Sequence, residues 1–501
     1  MDSKIIKRLV RKQIKNCHPY WKMLPKKSKK ELSKSITDAV VADYTGIDDN
    51  LEIPIEELIG IEEQVIDSRI IPLKEMNILV DNFHLRSGLI DFGKYSKSNS
   101  NIINEELRFI HNLLNDHIVN YLLANETYTP QKREIFPSQL FRAELLKAIK
   151  YPEISYRKYC ADEYMGKERK ENRRFLGLPL NTDTIIHHTQ LSHFRSSLKY
   201  HQTVNLLIYI LHHFYQAGLM DGCVVHGVDS TEIANDNRFP LYTIDVGDKK
   251  VRIYNDIDCD CGVRRNKRDK SKFVIGYRIH TLTAINPSNG HAFPLVSLLG
   301  PANHHDSLYL KPLVQLAQAM GIDMKLITAD EAYNDNDGSI LKDSGVHLIT
   351  PPSSTTKVPV NVEPETLMVT CHDFCDIPMV RLGLTAEGHE YKCNAHPGEC
   401  FRSPKCQRSR VIPFDNGHFQ RMSIGSQLSK QALDIRKNCE RPFNLLKNRE
   451  GLENARVRSQ GSLTGRVVFT MIATLLIEMA GTRKKKQKET VKQLNLYEVA
   501  A

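Results

Sequence analysis

Cys223-Val-Val-His-Gly-Val-Asp-Ser-Thr231 is a short apolar run, rich in β-branched residues, that closes on an acid. Such a run reads as a buried strand. A second run of the same kind, Lys325-Leu-Ile-Thr-Ala-Asp330, also ends in an acid, with Tyr333 one turn later. A carboxylate at the end of an apolar strand sits at the sheet edge, where a crevice opens. Two of them on neighbouring strands repel unless a divalent cation neutralises them. Taken singly, each Asp reads equally well as a helix N-cap following its strand.

The residues between these runs give the order of elements. Residues 274–284 alternate around Tyr277, Ile279, Thr281 and Thr283, as a half-buried strand does. Asn286-Pro-Ser-Asn-Gly290 is turn chemistry, because Pro fixes φ and Asn-Gly accepts a positive one. A third strand at 292–299 lies at hairpin distance, and a helix from 306 to 320 is stopped by Gly321. Strands at 325–329 and 346–350 follow, the last ended by Pro351-Pro352. The order strand–strand–strand–helix–strand–helix–strand is an antiparallel meander that switches to crossover connections. Upstream, 104–123 reads as one helix, 136–149 as a second opened by Pro137-Ser138, and 189–219 as a third stretch broken once. From 352 to 424 the periodicity is lost, as in an inserted module, and helical pattern returns at 429–447 and 463–479.

The chain has 501 residues, 41% hydrophobic and 26% charged, which excludes collagen, a disulfide miniprotein and wholesale disorder. Its most apolar stretch, 467–480, contains Glu478, Thr470 and Thr474 and is shorter than the ~20 residues a bilayer span needs. No basic-apolar leader opens it, so the expectation is a soluble, cytoplasmic protein with no membrane partner. Charge is more informative. Residues 1–35 carry twelve Lys and Arg against Asp2 and Glu31, while the rest of the chain balances at 57 against 57. Ile5, Ile6, Leu9, Val10 and Ile14 give this arm helical spacing, and Arg483–Lys488 forms a second basic cluster. A localised cationic arm suits a polyanion, since each neutralised phosphate releases counterions; a solvated tail or a membrane-surface helix is the alternative.

A third acid lies in Arg436-Lys-Asn-Cys-Glu440-Arg-Pro-Phe-Asn-Leu-Leu-Lys447. On an unbroken helix Arg436, Glu440 and Lys447 share one face, which is also what a solvated salt-bridge face looks like. Pro442 belongs in a first turn, so the helix starts or kinks near Glu440. Three carboxylates holding two Mg²⁺ ions about 3.5–4 Å apart make a phosphoryl-transfer site.

On these residues the chain resembles the DDE-class insertion-sequence transposases, insertion-sequence family four and its close relatives. Asp229 matches their G-x-D-S/T setting, Asp330 and Tyr333 their A-D-x-x-Y, and Arg436, Glu440 and Lys447 their third-acid signature, with Leu433 where that signature has Tyr. Gly276-Tyr-Arg-Ile-His280, Asn303-His-His-Asp306, Arg174-Phe-Leu-Gly177 and Phe194-Arg195 are similar to further family signatures, so that the likeness spans about 135–480. The resemblance implies an α/β fold with an RNase H-like catalytic core: a mixed five-stranded sheet with helices, preceded by a helical region and interrupted by a Cys-rich insertion. It implies Asp229, Asp330 and Glu440 as catalytic metal ligands for two Mg²⁺, with Mn²⁺ able to substitute. Arg436, Lys447, Tyr333 and Arg195 are then expected to contact DNA. The corresponding division is 1–125 basic arm and N-terminal helices, 126–220 DNA-binding helices, 221–351 first part of the core, 352–424 insertion, 425–482 the Glu-bearing part, and 483–501 basic tail.

The activity implied is transposition: binding double-stranded terminal inverted repeats, metal-dependent cleavage to 3′-OH ends, and strand transfer into target DNA by a homodimer in a prokaryotic nucleoid. A nuclease that does not join strands, and an inactive DNA-binding derivative, are the alternatives.

In the insertion, Cys371, Cys375, Cys393, His396, Cys400 and Cys406 offer enough ligands for one tetrahedral Zn²⁺, as the insert of several such transposases does. Reduced structural thiols are the other reading, and Cys259-x-Cys261 is a weaker case. Trp21 and Tyr20 read as local packing; His187-His188 and His212-His213, being tandem on helices, point apart.

Overall fold

A computed structural model describes residues 101–123, 135–235, 239–264 and 272–351 with short interruptions, the strands between 361 and 413, and most of 427–500. The chain is mixed α/β. Its centre is a sheet in which β1 (Val225–Ala234), β5 (Lys272–Ile285), β6 (Ala292–Pro301), β7 (Leu326–Ala329) and β8 (His347–Ile349) are the strands anticipated from hydrophobic pattern. β5 is the long strand. One edge pairs antiparallel with β1, from Ala234↔Gly276 to Val225↔Ile285; the other pairs with β6 and, beyond it, with β4 (Asp260–Arg264). β1 then pairs parallel with β7, and β7 parallel with β8. The β5–β6 turn is the expected one, with Gly290 at φ +67°.

Three strands were missed. β2 (Tyr242–Val246) and β3 (Lys249–Ile253) form a separate hairpin, and β4 lies within the segment read as a polar excursion. Basic and acidic residues interrupt their alternation, and their pairing rather than burial on two faces makes them strands. The 352–424 segment is not devoid of structure either. β9 (Met379–Leu384), β10 (Gly388–Cys393) and β11 (Ser409–Pro413) form an antiparallel sheet, with a small core of Val362, Val369, Tyr391 and Ile412.

Upstream of the sheet, the segment expected as one helix at 104–123 is two, α1 (Glu105–Leu113) and α2 (Asp116–Leu123). Asn115 breaks it, its Oδ1 accepting from the His117 and Ile118 amides as a cap. α3 (Pro137–Lys150) follows, with Pro137 at its first position, then the short turns α4 (Tyr156–Tyr159) and α5 (Asp162–Met165) and α6 (Lys170–Leu176). The 189–219 stretch is broken once, as expected, into α7 (His188–Ser197) and α8 (Tyr200–Gln216). α9 (Ser307–Ala319) and α10 (Ser339–Ser344) make the crossovers to β7 and β8.

After α11 (Gln427–Arg436) come a 3₁₀ turn, α12 (Glu440–Asn444) and a π-helical turn at Leu445–Arg449, then α13 (Gln460–Ala500). The apolar stretch expected to be too short for a bilayer belongs to a longer helical segment. Gln460–Gly481, 22 residues, is long and apolar enough to cross one by length and composition, yet 83% of it is buried inside the protein. Phe469 of α13 stacks on Phe194 of α7 at 5.9 Å, and Met471 Sδ accepts from Ser297 of β6. Burial among α3, α7, α8 and β6 is what its apolar surface serves.

The start of α13 is held by carboxylates, which suit the positive end of a helix. Asp256 Oδ2 accepts from the Ser459 amide at 2.7 Å, Tyr277 Oη at 2.5 Å and Asn235 Nδ2 at 2.8 Å, and Asp258 accepts from the Gln460 amide. Asp256→Ala strands three donors around a buried site; urea denaturation is expected to show a loss of about 3 kcal/mol, each unpaired buried donor costing roughly 1–3. Asp256→Asn, which keeps a carbonyl acceptor, is expected to lose less.

Candidate active site

β1 and β7 run parallel with Val228 opposite Ala329, so Asp229 and Asp330 follow one residue beyond the last paired position on neighbouring strands. The two acids are held alike. Asp229 Oδ1 accepts from the Ser230 amide and Asp330 Oδ1 from the Glu331 amide, each at 2.8 Å. Asp330 also serves the capping role that its position allowed, its carbonyl accepting from the Tyr333 amide to start the 3₁₀ turn Glu331–Tyr333.

The third acid arrives by a steric fit. Along a strand, alternate residues share a face, so Gly227 and Asp229 point the same way. Gly227 has no Cβ, and the wholly buried Cys439 fills that space: a Cβ built there meets Cys439 Sγ at 1.9 Å. Cys439 packs with Ile285, Ala292 and Ile435, seating the 3₁₀ turn Lys437–Cys439 on β1 and β5. Glu440 is the next residue. The single helix expected from Arg436 to Lys447 is therefore not formed. Pro442 has no N–H to donate back into a preceding turn, so the backbone tightens to 3₁₀ and α12 begins afresh at Glu440, with Pro442 in its first turn.

The result is a crowd of charge. Asp229 has its carboxyl pushed up to about 6, first by burial, with Asp330 and Glu440 adding to the rise and the Ser230 amide and Arg436 opposing it. Asp229, Asp330, Glu440 and Arg436 thus act on one another from four segments. Oxygen donors of this kind suit a hard divalent cation, which relieves mutual repulsion. Among the described residues no group of three His, Cys, Asp or Glu side chains is close enough to hold a metal as it stands. Closing such a group requires rotation of Asp330 and Glu440, both solvent-exposed.

Behind the acids lies a network that the pattern of the sequence did not assign to chemistry. Ser230, Glu232, Arg278 and His280 point from β1 and β5 to the opposite face, in the register Ser230↔His280 and Glu232↔Arg278. Arg278 bridges Asp306 at 2.7 Å and Glu232 at 2.9 Å. His280, fully buried, stacks on Tyr309 at 3.9 Å and meets the Tyr333 hydroxyl at 2.9 Å through Nδ1; burial holds it neutral, its pKa far below the usual value. The two signatures Gly276–His280 and Asn303–Asp306 therefore meet in space, a convergence only pairing of β1 with β5 produces.

Two of the expected DNA contacts are corrected. Tyr333 is buried with its hydroxyl in that network. Arg195 is buried in an ion pair with Glu144, and its guanidinium lies over the Tyr156 ring at 4.1 Å. A buried charge must be paired to be tolerated, and Glu144 pairs it here. Arg436 is half-buried beside the acids, and Lys447 is half-buried on the π-helical turn. Of the proposed zinc ligands, Cys371 and Cys393 are partly buried and form no disulfide. Cys375, His396, Cys400 and Cys406 lie outside the described residues, as do the basic arm, Tyr20 and Trp21, and the side chains of Arg483–Lys488.

No protein-family model and no curated protein matches the chain. Among solved structures, a piggyBac transposase synaptic complex with hairpin DNA is similar at a TM-score of 0.27 and 9% identity, over 80% of this chain and 82% of that chain. So loose a likeness transfers neither residue roles nor activity.

Two outcomes follow from this geometry. Gly227→Ala collides with Cys439 and is expected to destabilise by on the order of 1–3 kcal/mol, as overpacking does; Cys439→Ala in the same chain should recover part of it in thermal denaturation. Because the folded carboxyl of Asp229 titrates near 6 against a model value of 3.8, the folded state holds that proton more tightly. Its contribution is full below about pH 4 and is lost as pH rises through 6, about 3 kcal/mol in all. Asp229→Asn should therefore be more stable than wild type at pH 7, with the gain gone at pH 4.

Proposed function

We propose that this chain is a DNA transposase with an RNase H-like catalytic core, 221–351 continued by 425–482. In this reading it binds the terminal inverted repeats of its element, cleaves to leave 3′-OH ends and joins those ends to target DNA. The observation that carries the reading is the meeting of Asp229, Asp330 and Glu440, from β1, the end of β7 and α12, in one electrostatic environment. The sheet order, antiparallel β6–β5–β1 continued by parallel β7–β8, supports the fold half of it.

Asp229, Asp330 and Glu440 would hold Mg²⁺ or Mn²⁺, which supplies Lewis-acid stabilisation of charge at phosphorus. The chain's own residues do the rest. Seryl and glutamyl backbone amides after Asp229 and Asp330 favour their charged forms, and Arg436 brings a cation toward the same acids. In cleavage, a water oxygen bonds to phosphorus as the P–O3′ bond breaks; the water gives up a proton and the leaving oxygen takes one, giving a 3′-OH and a 5′-phosphate. In joining, that 3′-OH oxygen bonds to a target phosphorus, loses its proton, and displaces a target 3′-oxygen. Cutting two ends in concert needs two such sites, hence a homodimer on DNA. The basic arm and the 126–220 helices are its proposed grip on the duplex, acting in a prokaryotic nucleoid, with Zn²⁺ in the 352–424 insertion.

The test is Mg²⁺- and Mn²⁺-dependent cleavage and joining on DNA carrying the gene's own flanks, wild type beside Asp330→Asn. Joined products that vanish in the variant are expected. Cleavage without joining would make the protein a nuclease, and binding without any cut strand would leave a DNA-binding derivative.

A further inference from the structure

The Tyr333 hydroxyl lies between two groups on the reverse side of the sheet. It is 2.9 Å from His280 Nδ1, and it hydrogen-bonds the Ser230 hydroxyl, which reaches Asp306 Oδ2 at 3.3 Å. One proton order serves every partner: His280 Nδ1–H donates to Tyr333, Tyr333 to Ser230, and Ser230 to Asp306, which Arg278 holds from its other oxygen. Neutral, buried His280 fits that order.

Both ends of this chain of bonds touch the acids through backbone. Ser230 offers its amide to the Asp229 carboxylate, and Tyr333 offers its amide to the Asp330 carbonyl. β7 is only four residues long and meets β1 through three register pairs, the last at Val228↔Ala329. Past that point no pairing between the two strands fixes Asp330 relative to Asp229. The Ser230–Tyr333 bond crosses the gap from the far side of the sheet.

The geometry points to Tyr333 and Ser230 as positioning residues: a cross-tie, braced by His280, Asp306 and Arg278, that sets the separation of the Asp229 and Asp330 carboxylates for a divalent cation. This rests on the reading of those two acids as metal ligands. A group that orients a ligand from behind is worth about 10–100-fold in metal affinity, and it acts without touching the ion or the DNA. The A-D-x-x-Y spacing gains a physical meaning from this. A 3₁₀ turn of three residues, started by the Asp330 carbonyl, returns the Tyr side chain beneath the strand end that carries the acid.

The experiment measures Mn²⁺ binding to the full chain by the paramagnetic resonance of the free ion, with the melting temperature of each metal-free variant recorded beside it. Asp330→Asn should abolish binding. Tyr333→Phe keeps the ring that fills the buried space and removes only the hydroxyl; it should bind Mn²⁺ about tenfold more weakly. Ser230→Ala should match it, and Ser230→Thr, which keeps the hydroxyl, should bind like wild type. A purely structural Tyr333 predicts a lower melting temperature with unchanged affinity, and that result overturns the proposal while leaving the metal site standing. Wild type that binds no Mn²⁺ through Asp330 overturns the metal reading and the cross-tie together.

Discussion

β1 is paired antiparallel on one edge and parallel on the other, and most of the architecture follows from that double bond. The antiparallel edge comes from the meander: β5 can return beside β1 after a long excursion because Ala234↔Gly276 through Val225↔Ile285 match in register. The parallel edge demands a crossover, which α9 provides by packing on β5 and β6 before the chain enters β7. Only a parallel partner brings a second strand's C-terminal end beside the end of β1, and so only this edge sets Asp330 next to Asp229. Slipping β7 by one residue would turn Asp330 to the other face of the sheet.

The two faces of the sheet then divide the work. On one, Gly227 leaves room for Cys439, and α13 buries Met471 against Ser297 of β6; here the carboxylates gather and pay for their desolvation with a proton held near pH 6. On the other, Arg278, Asp306, Glu232, His280 and Tyr333 form a network in which charge is matched by charge and His280 stays neutral. Matched polar groups can be buried cheaply and hold one geometry. Repelling ones cannot, and they persist where a function keeps them.

Much of the element order could be read from local pattern. Five strands, the Gly290 turn, the break in 189–219 and the restart of helix at Pro442 all rest on periodicity, turn chemistry or a missing N–H, each carried by a few adjacent residues. Other readings failed where the deciding partner was distant. Asn115 split a helix that its neighbours' apolar spacing continued. Arg195 looked like a surface cation in the sequence, and Glu144, 51 positions earlier, made it a core residue. Tyr333 carried no sign of burial, since its partners His280 and Ser230 lie on other strands.

The sequence by itself determined which residues could bear chemistry and which segments could be strands, because side-chain type and spacing act over one or two turns of chain. That Asp229 closes one apolar run and Asp330 another is a local fact. Tertiary structure alone decided that they meet. The meeting needs β1 and β7, about a hundred residues apart, to lie in parallel register. Bringing Glu440 to them needs a sulfur on a distant turn to fit the space of one missing Cβ, and steric complementarity of that kind exists only once the chain has folded.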